Sequence, residues 1–200
     1  MIVKKIMSTA VPLPIENIDT DQIVPAQFLK SVTREGFADK LFFAWRKKRN
    51  FILNNKKYQG KILIAGYNFG CGSSREHAAW ALVDYGFRVI ISSFFADIFK
   101  NNSLNNRLLP VQVSESFLKK ILSIVQDKPK TQITIDIENQ KIIITDAHLE
   151  EEFDINLYKK NCFIQGLDDI DYLINLKGKI TEFESVIPAQ AGIQTKITYE

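Results

Sequence analysis

The sequence predicts an α/β fold with a partly parallel sheet, and the first evidence lies in the middle of the chain. Two short apolar runs, residues 61–65 and 88–92, predict buried strands. Residues 74–85 between them predict a helix that stops at Gly86. A strand, a helix and a strand within about 30 residues form a β-α-β unit, so we expect the two strands to be parallel with a right-handed crossover.

The second observation is a change of pattern in the last third of the chain. Residues 131–137 alternate between apolar and polar side chains, as a half-buried strand does. Asn139-Gln140 predicts a turn, and residues 141–145 predict a returning strand. The hairpin is antiparallel, so a layered α/β domain with a mixed, partly parallel sheet is the expected architecture.

Local signals supply the remaining elements. Proline and Asx residues are dense between residues 9 and 29 and predict loop and turn there. Ser114 is placed to be the N-cap of the helix that follows it, and Gly166 interrupts a later helical stretch. The other expected elements are a helix over 36–50, a short helix around 95–104, a strand near 109–113, a helix over 114–126 and helical pieces over 150–176.

The composition is that of a globular protein. The chain has 200 residues, is 46% hydrophobic and 24% charged, and carries a formal net charge of +3, which argues against a nucleic-acid specialist. Its two cysteines, Cys71 and Cys162, are too few for a disulfide scaffold or a four-thiolate metal site. No apolar run approaches the roughly 18 residues of a membrane span, and no secretory signal follows the start. We therefore expect a cytoplasmic protein.

The segment Gly66–His77 holds the densest signal for chemistry. It connects the first predicted strand to its helix, and open α/β sheets bind ligands beyond the carboxyl ends of their strands. Gly70 and Gly72 permit positive φ angles and a close approach of the backbone to a ligand. Arg75 adds a planar pair of donors that matches a carboxylate. The segment therefore predicts an anion-binding turn.

Ser73 and Glu76 are spaced as in a capping box, so Ser73 is the expected N-cap of the helix. The free amides of Ser74, Arg75 and Glu76 would then face outward and attract an anion. The same spacing also occurs in helix caps that have no further function, and that alternative stays open here. The loop is not a Walker A sequence, a dinucleotide fingerprint or a nucleophile elbow, because its glycines and serines are spaced differently.

Cys71 offers a different interpretation, because the thiol pKa falls near a helix N-terminus. A nucleophile needs a base within hydrogen-bond reach, and His77, six residues farther along, is poorly placed for that role. His77 and His148 have no clustered partners that would suggest a metal site. Cys162 stands beside Phe163 and Ile164 and is expected in the core.

The same residues resemble a known family. Gly70–His77 (GCGSSREH) is similar to the signature of the aconitase-family swivelling domain, and Asn17–Pro25 (NIDTDQIVP) is similar to its N-terminal motif. Within that family, several segments resemble the bacterial small subunits of 3-isopropylmalate dehydratase: residues 27–29, 41–46, 94–99 and 105–110. Tyr67 departs from the pattern at a position where these subunits often carry an acidic residue, and Ala79 where they often carry proline.

The resemblance runs from about Met1 to Ser185. It implies a swivelling β/β/α domain over residues 1–185, followed by an appended tail over 186–200. The tail lacks apolar periodicity and contains Pro188 and Gly192, so we expect it to be poorly ordered.

The resemblance also implies a reaction and a partner. These enzymes move a hydroxyl group between adjacent carbons of a malate derivative by dehydration and rehydration, here between 2-isopropylmalate and 3-isopropylmalate in leucine biosynthesis. Their [4Fe-4S] cluster cannot be held by two cysteines, so it is expected on a large subunit that forms a heterodimer with this chain. This chain is expected to bind no metal or cofactor itself. Its expected ligand is a small dicarboxylate, and neither nucleic acid nor membrane is expected as a partner.

By resemblance, Ser73 is the base that removes the proton beside a carboxylate, and Arg75 binds a substrate carboxylate with help from Ser74. Gln27, Phe28, Leu29 and Lys30 would lie near the variable group of the substrate, although Phe28 and Leu29 are equally compatible with the core. Three alternatives remain: the small subunit of a related hydro-lyase of homoaconitase or citraconate/methylmalate type, a non-catalytic anion-binding module, and a stand-alone cysteine hydrolase.

Overall fold

The computed structural model describes residues 2–29 and 36–191, with side chains as far as residue 185. The chain divides into two compact units, Met1–Gly166 and Leu167–Glu200. The first unit contains all of the strands that the described residues form, together with the loop Gly66–His77. The second contains helices α7 (Asp169–Asn175) and α8 (Lys177–Ala191).

A four-stranded parallel sheet lies at the centre of the first unit, with the strand order β2-β3-β4-β5. All of its neighbouring strands pair in parallel. Its strands are short, apolar and almost entirely buried, as expected for a sheet that is covered on both faces. They are β2 (Ala10–Leu13), β3 (Ile62–Ala65), β4 (Val89–Ser92) and β5 (Leu109–Gln112).

A separate four-stranded antiparallel sheet has the order β1-β6-β7-β8. The predicted hairpin forms its middle, with Thr134 opposite Ile143 and Asp136 opposite Lys141. The strands are β1 (Lys5–Ser8), β6 (Ile133–Asp136), β7 (Lys141–Ile144) and β8 (Leu149–Glu152).

Helices connect the strands of the first unit. Ser114 caps α5 by accepting a hydrogen bond from the Phe117 amide, as the sequence predicts. The helices are α1 (Thr20–Ile23), α2 (Phe43–Arg46), α3 (Glu76–Tyr85), α4 (Asp97–Asn105), α5 (Glu115–Asp127) and α6 (Leu157–Gln165). Short 3-10 turns cover Ala26–Phe28, Ala38–Lys40, Ile52–Asn54 and Thr145–Ala147.

Alternate residues of the parallel strands point into two different cores. On β3, Ile62 and Ile64 pack with the antiparallel sheet and α5, whereas Leu63 and Ala65 pack with α3 and α4. This alternation follows from the two-residue period of a strand. The layers are therefore antiparallel sheet, parallel sheet and helices, which confirms the β/β/α class. The parallel and antiparallel strands lie in two sheets rather than in one mixed sheet.

Three local predictions were wrong. Residues 10–13, expected as loop because of Pro12, form β2, an edge strand, and an edge strand tolerates proline because one side has no ladder partner. The helix expected over 36–50 is reduced to a 3-10 turn and the short α2, since Phe42 adopts a left-handed φ of 46°. Part of the helical stretch expected over 150–176 is β8, which extends the hairpin sheet.

The boundary expected at residue 185 falls inside α8, which continues to Ala191. Residues 192–200 of the expected tail lie outside the described residues. The division into a domain over 1–185 and a tail over 186–200 stays a prediction.

Candidate active site

The loops that follow β2, β3 and β4 meet at the carboxyl ends of these strands. Three backbone hydrogen bonds join them: Asn17 N to Tyr67 O at 2.8 Å, Gly70 N to Ile18 O at 2.8 Å, and Phe69 N to Phe94 O at 3.1 Å. The segment singled out in the sequence, Gly66–His77, therefore lies in the centre of this face, with a neighbouring loop on each side.

Glycine is required at position 70 for two reasons. Its φ is +76°, and a Cβ there would lie 2.2 Å from Cγ of the buried Phe99. Gly72 also has a positive φ, of +88°, just before the serine pair. The two glycines give the loop the sharp bends that bring Ser73 and Ser74 to the surface.

Ser73 is not the N-cap of α3, contrary to the sequence prediction. The helix begins at Glu76, and Arg75 is the N-cap residue without a side-chain hydrogen bond. The physical reason is a tighter turn, because the Arg75 amide donates to the Ser73 carbonyl at 2.9 Å and the helix starts later. The Thr20 hydroxyl also donates to that carbonyl, at 2.9 Å. The backbone of Ser73 is thus held, while its exposed hydroxyl bonds to no described residue.

Arg75 is paired with Asp21 from the first turn of α1. One guanidinium nitrogen of Arg75 contacts one carboxylate oxygen of Asp21, and the arginine side chain is only 19% exposed. The hydrogen bond from Arg75 lowers the pKa of Asp21 below its usual value. Arginine has five N–H donors, so this one-point contact orients the side chain and leaves donors for an anion.

Asp21 also holds the segment that precedes the undescribed residues. The same carboxylate oxygen accepts the Ala26 amide at 2.8 Å, where the 3-10 turn Ala26–Phe28 begins. Asp21 therefore links Arg75 to the segment expected near the variable group of the substrate.

In the sequence, Asp19, Thr20 and Asp21 belong to the motif Asn17–Pro25, which indicates the family but no role for these three residues. Asp19 and Gln22 form a capping box that fixes α1, and this spacing was readable from the sequence. The contacts of Thr20 and Asp21 with Ser73 and Arg75 span more than 50 residues, so no local pattern indicates them.

The expected specificity residues lie on and after this turn. Gln27 is exposed, and Phe28 and Leu29 are half-buried. The Phe28 ring packs edge-on against Phe43, with 5.0 Å between centroids. Phe28 is therefore partly a core residue, and a substrate-facing role stays a prediction. Lys30 lies outside the described residues.

The structure does not favour Cys71 as a nucleophile. Burial, and then the negative charge of Asp19, raise the pKa of the Cys71 thiol rather than lowering it. His77 instead contacts aromatic rings: its ring centroid is 5.4 Å from that of Phe37 and 4.6 Å from that of Trp80. A nucleophilic cysteine needs thiolate character, and the raised pKa of Cys71 argues against it.

The thiols of this chain do not fit an iron–sulfur cluster. Cys71 is half-buried in the loop, whereas Cys162 is buried in α6, so the two lie on different elements. Among the described residues, no group of three or more His, Cys, Asp or Glu side chains is arranged to hold a metal ion. In the same part of the chain, no helix is long and apolar enough to cross a membrane.

Comparisons with known proteins identify the family of this chain. The family model of the aconitase C-terminal domain matches residues 1–116. The 3-isopropylmalate dehydratase small subunit of Cytophaga hutchinsonii is 57% identical over 185 residues, covering 90% of this chain and 92% of that protein. The protein of the same name from Azobacteroides pseudotrichonymphae is 58% identical over 184 residues, covering 88% and 93%.

A solved structure, described as 3-isopropylmalate dehydratase from Methanocaldococcus jannaschii, matches with a TM-score of 0.65 and 25% identity, covering 90% of this chain and 99% of that one. The chain therefore belongs to the family of 3-isopropylmalate dehydratase small subunits, hydro-lyase subunits built on the aconitase C-terminal domain.

Proposed function

We propose that this chain, with a large subunit, interconverts 2-isopropylmalate and 3-isopropylmalate in leucine biosynthesis, and that it supplies the base and a carboxylate-binding arginine. The observation that carries this proposal is that one turn presents both an exposed Ser73 hydroxyl, which bonds to no described residue, and Arg75, whose side chain is oriented by Asp21. Family membership gives the reaction class, and the loop gives the groups that the reaction needs.

The difficult step for the protein is removal of a carbon-bound proton next to a carboxylate. A serine hydroxyl is a weak base until it loses its own proton, so the alkoxide needs donors and positive charge nearby. Arg75 contributes the charge, and the first turn of α3 contributes amides that have no acceptor within the helix. The Ser73 carbonyl is already held by Thr20, so the hydroxyl approaches the substrate from a fixed backbone.

Binding of the substrate carboxylate is assigned to Arg75, with Ser74 as an additional hydrogen-bond donor. Ser74 is exposed on the same turn and follows the base directly. Asp21 is a positioning residue, because it holds one side of the guanidinium while the other donors stay available.

Discrimination of the isopropyl group is assigned to residues 27–30. Gln27, Phe28 and Leu29 follow the Ala26 amide that Asp21 holds, and Lys30 is the next residue in the sequence. This arrangement couples the wall of the substrate pocket to the carboxylate-binding arginine through one side chain.

The large subunit is assigned the [4Fe-4S] cluster, since the thiols of this chain do not suit one. Reconstitution tests the proposal. The purified full chain, a cluster-loaded large subunit of the same organism, and their mixture are each assayed with 3-isopropylmalate. We expect turnover from the mixture only. Turnover by this chain alone, or no turnover by the mixture, would contradict the proposal.

A further inference from the structure

Exposed apolar side chains concentrate beside the candidate site. Among the described residues of the first unit, the large apolar side chains that are exposed are Ile2, Met7, Ile15, Tyr67, Phe94, Ile98 and Leu157. Four of them lie at the carboxyl ends of the parallel strands: on the loops after β2, β3 and β4, and in the first turn of α4. These four, Ile15, Tyr67, Phe94 and Ile98, are named the carboxyl-end patch.

An aromatic pair forms the centre of the patch. The rings of Tyr67 and Phe94 stack with 5.4 Å between centroids and 26° between planes, although they are 42% and 39% exposed. Their backbones are fixed, because the Tyr67 carbonyl accepts the Asn17 amide at 2.8 Å and the Phe94 carbonyl accepts the Ser92 hydroxyl at 2.8 Å. A rigid pair loses little conformational freedom when a partner covers it.

We propose that the carboxyl-end patch docks against an apolar surface of the large subunit, an inference that rests on the proposed function. Tyr67 and Ser73 belong to the same loop, so a subunit that completes the site around Ser73 must approach this face. Rigid aromatic side chains at the centre of an interface carry a large share of binding energy. A second copy of this chain on the same patch would cover the loop that the large subunit has to reach.

The test separates assembly from chemistry. Full-length wild type, Tyr67→Asp and Phe94→Asp are titrated into a fixed amount of cluster-loaded large subunit, and binding is measured by sedimentation as well as by activity. Leu157→Asp is the matched control, since Leu157 is 68% exposed on α6. We expect the midpoint of binding to rise about tenfold or more for both patch variants and to stay unchanged for the control.

At saturating chain, we expect the patch variants to reach wild-type turnover, because neither residue belongs to the catalytic machinery. Tyr67→Ala and Phe94→Ala, which add no charge, should shift the midpoint in the same direction, and circular dichroism of each isolated variant checks its folding. Midpoints that stay unchanged in the patch variants would overturn the inference, whether or not their turnover at saturation is lowered. The proposed function would still stand in that case, provided that the wild-type chain activates the large subunit. Wild-type chain that self-associates through the patch would overturn the inference as well. If wild type itself failed to activate the large subunit, the proposed function would fail together with the inference.

Discussion

The carboxyl-end loops of the parallel sheet and the strands of the antiparallel sheet use their polar groups in opposite ways. In the antiparallel sheet, Asp136 is almost fully buried and is bonded to Lys5 at 2.8 Å and to the backbone and side chain of Asn139. In the loops, the Ser73 hydroxyl is exposed and bonds to no described residue. The antiparallel sheet thus uses Asp136 to hold its strands together, whereas the loops of the parallel sheet leave the Ser73 hydroxyl available to a ligand.

The difference indicates where substitutions should affect activity and where they should affect stability. Burial by itself raises the pKa of Asp136, but the hydrogen bonds from Lys5 and Asn139 outweigh it and lower the pKa to about 2. Arg75 also has a carboxylate partner, but Asp21 is 56% exposed, and an exposed pair contributes little to stability. We therefore expect substitutions at Ser73 and Arg75 to leave the fold intact and to impair the chemistry.

The largest expected effect is on Ser73. Ser73→Ala in the assembled enzyme should lower kcat by about 10²- to 10⁴-fold, the usual contribution of a general base. Because the Ser73 side chain does not cap α3, the melting temperature of the isolated chain should barely change. Steady-state kinetics and thermal melts check both halves, and wild-type kcat would remove Ser73 from the mechanism.

Arg75→Lys should have the next largest effect. Lysine keeps the positive charge but loses the planar pair of donors. One lost hydrogen bond between charged groups corresponds to a roughly ten- to hundredfold loss in kcat/KM, expressed mainly in KM. Ser74→Ala is the comparison on the same turn and should cost less. Equal effects of the two substitutions on kcat/KM would contradict a carboxylate-binding role for Arg75.

Asp136→Ala should show the opposite behaviour. Loss of its charged hydrogen bonds should destabilise the chain by about 1.5–3 kcal/mol in denaturant unfolding, while turnover per folded molecule stays at the wild-type value. The folded pKa lies below that of the unfolded chain, so this stability is present above about pH 4 and is lost as the pH falls towards 2. In Asp136→Ala, the free energy of unfolding should no longer show the fall between about pH 4 and pH 2 that Asp136 causes. Normal stability with low turnover in Asp136→Ala would contradict the structural role assigned to Asp136.

The β-α-β unit was predictable because two short apolar runs flank a helical segment that stops at Gly86, and the hairpin was predictable because residues 131–137 alternate. Strand β2 was not predictable, because Pro12 is typical of a loop unless the strand is known to lie at the edge of a sheet. The start of α3 was predicted too early, because the hydrogen bond from the Arg75 amide to the Ser73 carbonyl has no signature in the sequence.

The candidate site was also predictable only in part: its residue types were, and the contacts that orient them were not. The residue types in Gly66–His77 predict an anion-binding turn because each contributes a local property: bending, hydroxyl groups or charge. The contacts that orient those residues come from Thr20 and Asp21, and they exist only after the loops following β2 and β3 have been brought together. Long-range pairing of this kind leaves no periodic trace in a single sequence.

The most direct test of the central claim, that Ser73 supplies chemistry and not architecture, is a competition measurement. Increasing amounts of the Ser73→Ala chain are added to a fixed mixture of wild-type chain and large subunit, and 3-isopropylmalate turnover is recorded. The variant should displace wild type from the large subunit, so activity should fall in proportion to the wild-type share of the total chain. Activity that stays constant at a large excess of the variant would contradict the claim, because the substituted chain would then either fail to assemble or catalyse as well as wild type.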